Sequence, residues 1–175
     1  MENIEMPTTI PADDLTRKLT IAGPKNDASL CHLCLAGGIY TILVTGKETA
    51  GQYCLIDMTI PPGGGPPPHR HNFEELFIIQ EGEISFNFRG EKKLVSAGEV
   101  INIPVNAPHN FQNSSDKTAK MLCMCSPAGQ DEYFMEVGDI LKSRTDTPPV
   151  LTEAEQMARK QKAQDLALRY QTEFI

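Results

Sequence analysis

Three imidazoles and one carboxylate stand in this chain at spacings that suit a metal ion. The chain has four histidines. His69 and His71 fall in the run Gly63-x5-His69-x-His71-x3-Glu75-x6-Gly82. His109 falls in the run Gly98-x5-Pro104-x-Asn106-x2-His109-x3-Asn113. Imidazole nitrogen and carboxylate oxygen are donors that first-row divalent metals accept. Three nitrogens and one oxygen leave an open coordination position, which separates a catalytic site from a structural one. Fe, Mn, Ni, Co, Cu and Zn all accept such a set, and these donors do not choose among them. Glu75 has a second task open to it: a carboxylate that loosens from a metal can take a hydroxyl proton as general base.

The elements that must deliver these groups are short strands. Side chains at even separations share one face of an extended strand. His69, His71 and Glu75 meet that condition, and Phe77 and Ile79 continue the face. Glu74, the competing carboxylate, has the opposite parity. His109 arrives separately: Pro104 ends a strand, Asn106 tolerates a left-handed backbone, and Pro108 fixes the entry to the next strand. His109, Phe111 and Asn113 then share a face.

Strand signals cover 40–44, 53–60, 75–80, 84–88, 93–95, 100–103, 109–112 and 119–125. Turn residues punctuate them, as in an all-β sandwich or barrel. On 53–60, Cys54, Ile56, Met58 and Ile60 face one way. Eight consecutive Pro and Gly residues, 61–68, form a rigid connector that hands over His69. Pro7, Pro11 and Pro24 preclude a long helix near the start, leaving room for one helical turn over 9–15. Thr152-x-x-Glu155 is a capping box, so a helix begins near Glu153 and runs to about Arg169. Ala154, Met157, Ala158, Leu166 and Tyr170 give it an apolar stripe, to be packed on the outside of the barrel. Its removal is expected to leave metal binding intact.

Length and charge bound the rest. A chain of 175 residues with 40% apolar content supports one domain, here residues 1–175, with a core. A net charge of −7, with Lys92-Lys93 the only basic pair near the middle, speaks against a nucleic-acid surface. No apolar run reaches a membrane span. The first residues lack the basic and apolar regions of a secretory signal, and the five cysteines are an odd count, so a reducing cytoplasm is expected. Cys31-His32-Leu33-Cys34 lacks the second ligand pair of a zinc knuckle and reads as structural thiols. Cys123 and Cys125 alternate with Met121 as small core residues. A disulfide between them is disfavoured by the geometry of positions two apart on a strand.

The two runs resemble the signature motifs of the cupin superfamily over residues 38–128, with Asn106 in place of a glycine. The resemblance implies a double-stranded β-helix, or jelly-roll, barrel followed by the C-terminal helix. It implies His69, His71, Glu75 and His109 as ligands of one divalent transition metal, and a homodimer. Gly64-Gly65-Pro66-Pro67-Pro68-His69-x-His71 with Glu74-Glu75-Leu76-Phe77, and then Pro127 to Phe134, is similar to single-domain quercetin dioxygenase-like cupins. The expected activity is a metal-dependent dioxygenase on a small aromatic or enolic substrate. Met58, Phe77, Ile79, Phe86 and Phe111 are expected as the apolar walls of its pocket. A non-redox isomerase or lyase and a non-enzymatic small-molecule binder are the alternatives.

Overall fold

Apolar alternation along the middle of the chain folds into two facing antiparallel sheets. The structure, a computed structural model, describes residues 9–175. Pro7 and the opening residues of the N-terminal reading lie outside the described residues. The elements are β1 (Cys31–Leu35), β2 (Gly38–Val44), β3 (Cys54–Ile60), β4 (His69–His71), β5 (Glu74–Glu81), β6 (Glu83–Phe88), β7 (Glu91–Ser96) and β8 (Val100–Ile103). There follow β9 (His109–Gln112), β10 (Ala119–Ser126), α1 (Gln130–Val137), β11 (Asp139–Leu141), α2 (Glu153–Ala167) and β12 (Thr172–Phe174). One sheet has the order β11-β1-β2-β3-β10-β5-β8 and the other β12-β4-β9-β6-β7. The result is an all-β jelly roll with a C-terminal helix.

The core lies between the sheets. On β3, Cys54, Ile56, Met58 and Ile60 are buried while Leu55, Asp57 and Thr59 are half-buried, as period-two alternation requires. Phe77 from one sheet meets Phe86 and Phe111 from the other, with ring centroids 5.2 and 5.6 Å away. Each such ring removed from water contributes on the order of 1.5–3 kcal/mol, so this trio clamps the sheets together.

The Pro/Gly connector is rigid because both flanks hold it. Gly63 N–H donates to Asn113 C=O, Asn113 N–H to Gly64 C=O, and Gly65 N–H to Ala36 C=O. Gly65 has φ +143°, and a Cβ there would stand 2.2 Å from the Phe111 carbonyl oxygen. Only glycine lets the connector press so closely on β9. Asn113 is a keystone: its buried amide donates to Ile60 and Lys117 carbonyls at 2.8 and 2.7 Å.

The two ends of the chain depart from expectation. Residues 9–14 form no helical turn; the chain instead turns at 14–17, where Arg17 N–H donates to Asp14 C=O and the Asp14 side chain holds Thr16. Pro11 within the proposed turn explains the failure. Three short strands, β1, β11 and β12, and helix α1 escaped the sequence reading: β11 and β12 pair only with strands distant in the chain, while β1 is a five-residue arm of a hairpin with β2. The capping box is present: Glu155 N–H donates to Thr152 Oγ1, and Thr152 N–H donates to Glu155.

The stripe on α2 is displaced. Ala154, Met157 and Ala158 are exposed, and Met157 retains 72% of its surface. Arg159, Ala163, Leu166, Ala167 and Tyr170 make the contacts instead. The helix packs on α1 and not flat on a sheet: Tyr133 Oη donates to Ala163 C=O at 2.8 Å, and Tyr170 Oη donates to the Glu136 carboxylate. Its first half is thereby held across the barrel mouth.

Candidate metal centre

The four predicted residues converge. His69 and His71 lie on β4 and His109 on β9, all in the five-stranded sheet, and His69 is the register partner of His109. Glu75 lies on β5 of the opposite sheet. Parity along one strand therefore names a residue that does converge on the imidazoles, though it reaches them from another strand. The chain turns a corner at Asn72 and Phe73, so β4 and β5 belong to different sheets and Glu75 faces the imidazoles across the barrel. Glu74 points away and accepts from Asn102 Nδ2 at 2.9 Å. The ligand atoms of all four lie within 4.8 Å of one another, and all four residues are buried.

Each imidazole is oriented by a carbonyl two residues away. His69 Nδ1 lies 2.9 Å from Pro67 C=O, His71 Nδ1 2.9 Å from Phe73 C=O, and His109 Nδ1 2.9 Å from Ala107 C=O. A carbonyl can only accept, so each Nδ1 carries the proton and donates it. The neutral rings then present bare Nε2 lone pairs to the centre. His71 is also stacked on Phe73, centroids 3.9 Å apart and planes 2° from parallel.

Glu75 Oε2 lies 3.0 Å from His71 Nε2 and 3.2 Å from His109 Nε2. Two lone pairs and a carboxylate oxygen facing one another repel unless a proton or cation lies between them. Donors bound at about 2.0–2.2 Å to one ion stand roughly 3 Å apart, which is the spacing found. The donor set therefore fits a divalent metal ion.

Charges without a metal follow the same logic. Burial would raise the Glu75 carboxyl, but hydrogen bonds to His109 and His71 and their charge outweigh it and hold the group well below the usual carboxylate range. Burial, with repulsion from His109, lowers His69 to about 4. Burial pulls His109 down as well, yet its contact with Glu75 leaves it raised overall.

A cavity of about 710 Å³ opens at the centre, with His69 and Glu75 on its wall. Met58 and Phe111 of the expected walls line it. Phe77, Ile79 and Phe86 do not; they are buried in the core between the sheets, where Phe77 and Phe86 share the aromatic trio. The rest of the lining was missed: Tyr40 on β2, Tyr133 and Phe134 on α1, Arg159 on α2 and Phe174 on β12. Tyr40 shares its inward parity with Ile42 and is the register partner of Met58, a signal open to sequence reading. Tyr133, Phe134 and Val137 fall on one side of a short helix after Gly129, which the spacing also allowed. The tail gives no such signal.

The remaining sequence candidates are not part of the ligand cluster. Cys31 and Cys34 are free, half-buried thiols on β1, and Cys34 lines the cavity. The fourth histidine, His32, is buried, its ring nitrogens 2.8 Å from Thr41 Oγ1 and 2.9 Å from Asp27 C=O. No helix among the described residues is long and apolar enough to cross a membrane.

The family model for the cupin domain matches residues 56–125, the stretch that carries all four converging side chains, so this part of the barrel is a cupin domain. Among curated relatives, quercetin 2,3-dioxygenase of Bacillus subtilis is 26% identical over 102 residues, which cover 58% of this chain and 30% of that protein. Auxin-binding protein 1 of Arabidopsis thaliana is 31% identical over 106 residues, 55% of this chain and 50% of that one. The chain thus spans half or less of either relative. A predicted oxalate decarboxylase from Thermotoga maritima superposes with a TM-score of 0.53 at 18% identity, covering 61% of this chain and 98% of that one. That likeness concerns the fold alone.

Proposed function

We propose that His69, His71, Glu75 and His109 hold one divalent transition metal, and that the protein is a dioxygenase acting on a small aromatic or enolic substrate. One observation carries this reading: three Nε2 lone pairs and a carboxylate converge beside a cavity that has His69 and Glu75 on its wall and Tyr40, Met58, Phe111 and Phe134 among its apolar lining. A bound divalent ion supplies a Lewis acid that lowers the pKa of a substrate hydroxyl and leaves room for a second ligand. Glu75 takes the hydroxyl proton on its carboxylate as general base. Met58, Tyr40, Phe111 and Phe134 hold a flat ring and exclude water. The partial identity to quercetin 2,3-dioxygenase supports the choice of reaction. The same reading takes residues 1–175 as one domain that forms a cytoplasmic homodimer with no nucleic-acid partner.

The test is an oxygen electrode with metal-loaded protein and a panel of phenols and enols. Oxygen uptake matched to substrate loss is expected. Substrate loss without oxygen uptake points to a non-redox isomerase or lyase. Saturable binding without turnover across the panel points to a ligand-binding module, the second reading, which the similarity to auxin-binding protein 1 favours.

A further inference from the structure

We propose that Glu75 serves a second metal site, in which its other oxygen joins Cys123 and Cys125 around one thiophilic divalent cation, such as Zn(II) or Cd(II). Oε2 of Glu75 faces the imidazoles. Oε1 faces the opposite way, 3.3 Å from Cys123 Sγ and 3.8 Å from Cys125 Sγ, and the two sulfurs are 3.7 Å apart. Metal–sulfur bonds of about 2.3 Å at a tetrahedral angle place two sulfurs roughly 3.7 Å apart, and an oxygen at about 2.0–2.2 Å falls roughly 3.5 Å from each. The observed triangle has these dimensions.

The strands build it directly. Cys123 and Cys125 are two apart on β10 and point to one face, and Cys125 is the register partner of Glu75 across the β10–β5 ladder. On its other side Cys125 pairs with Cys54 of β3, a third buried cysteine beside the pair. Cys123 and Cys125 are 1% and 0% exposed, and Glu75 is 4% exposed.

Close packing of thiols explains the sulfurs but not the acid. Oε1 belongs to a buried carboxylate, and the side-chain donors it meets are S–H groups, which donate weakly. The imidazoles partner Oε2 only; a buried carboxylate oxygen left with weak donors is costly, and a cation at Oε1 satisfies it. Thiolate donors select soft and borderline metals over Mg(II) or Ca(II). Glu75 also lines the cavity, so its carboxylate stands between that space and the sulfurs behind it. As each Sγ–metal bond forms, the thiol proton passes to solvent through the cavity. The proposal shares Glu75 with the dioxygenase reading but does not depend on it.

Cd(II) alone serves as the probe, on metal-free protein carrying Cys31→Ser and Cys34→Ser to silence the half-buried thiols. Equilibrium dialysis counts bound ions, and the sulfur-to-cadmium charge-transfer absorption reports thiolate ligation. A second bound equivalent with that absorption is expected. Cys123→Ser or Cys125→Ser should remove about half of the absorption or more, and His71→Gln should leave it. No charge-transfer absorption at saturating Cd(II), or absorption unchanged in both serine variants, overturns the site. Cadmium-113 NMR of the protein with an intact core needs no core substitution. A resonance in the thiolate range is expected beside one in the nitrogen–oxygen range; the latter alone overturns the proposal.

Discussion

Phe174 stands opposite His69 in the ladder between β12 and β4, their ring centroids 6.4 Å apart. Ile175 N–H donates to Pro68 C=O at 3.1 Å, extending the ladder past the ligand. The last residues of the chain thus brace the strand that carries two of the imidazoles. Deleting residues 172–175 leaves β4 as an open edge and removes part of the cavity wall. Metal affinity should fall roughly tenfold, as for other losses of ligand support. Competition with a chelator reads that change, and unaltered affinity in folded protein would show that the tail only covers the barrel.

Removing a ligand tests the centre itself. His71→Ala leaves Glu75 with one imidazole partner and opens the stack on Phe73. Bound metal, measured by elemental analysis, should drop to roughly a tenth of the wild-type amount or less. Full occupancy in the variant is incompatible with the proposed ligand set.

Acid should destabilise the metal-free protein through His69. Its folded value of about 4 lies below the ordinary 6.5, so the unfolded chain binds more protons between those values. Stability is then full above pH 6.5 and falls toward pH 4, by at most about 1.4 kcal/mol per pH unit for one proton. Glu75, also held low, adds to the loss below its ordinary 4.5. His109 is raised, so its contribution is complete below 6.5 and fades only as pH rises through its folded value. Urea unfolding at pH 7 and pH 5 measures the slope. His69→Gln should flatten it, and an equal slope in the variant assigns it to other groups.

Gly65→Ala should cost roughly 3 kcal/mol or more, since the new Cβ meets backbone at 2.2 Å and φ is +143°. The connector would lift from β9 and carry His69 with it. Chemical denaturation and metal content should therefore fall together. Loss of stability with normal metal binding would separate the connector from the centre.

Thr152→Ala is the contrasting surface case. It removes the cap of α2, worth about 1 kcal/mol, while leaving the barrel untouched. Far-ultraviolet circular dichroism should show local fraying of the helix, with metal content unchanged. Reduced metal content would mean that α2 governs the centre as well as the cavity mouth.

The strands legible in the sequence were those whose alternation carried a buried face, such as 54–60 and 119–125. The capping box at Thr152 was legible because its two bonds lie within four residues. Asn106 was read correctly as a left-handed position, with φ 63°, because few non-glycine residues adopt it. The strip on α2 was misread because half of that helix hangs over a cavity and has no sheet beneath it. Phe77, Ile79 and Phe86 show the same limit: parity says that a side chain points inward, but not whether it meets core or cavity.

The residue types and spacings alone determined the imidazoles and the acid, since donor chemistry and strand periodicity are local properties. Only the tertiary structure decided that Glu75 reaches them from the opposite sheet, after the corner at Asn72 and Phe73. It alone placed Phe174 beside His69 and the thiols of Cys123 and Cys125 behind the carboxylate. Those neighbours are set by sheet closure and long-range register, which depend on the packing of the whole barrel and leave no short-range mark in the chain.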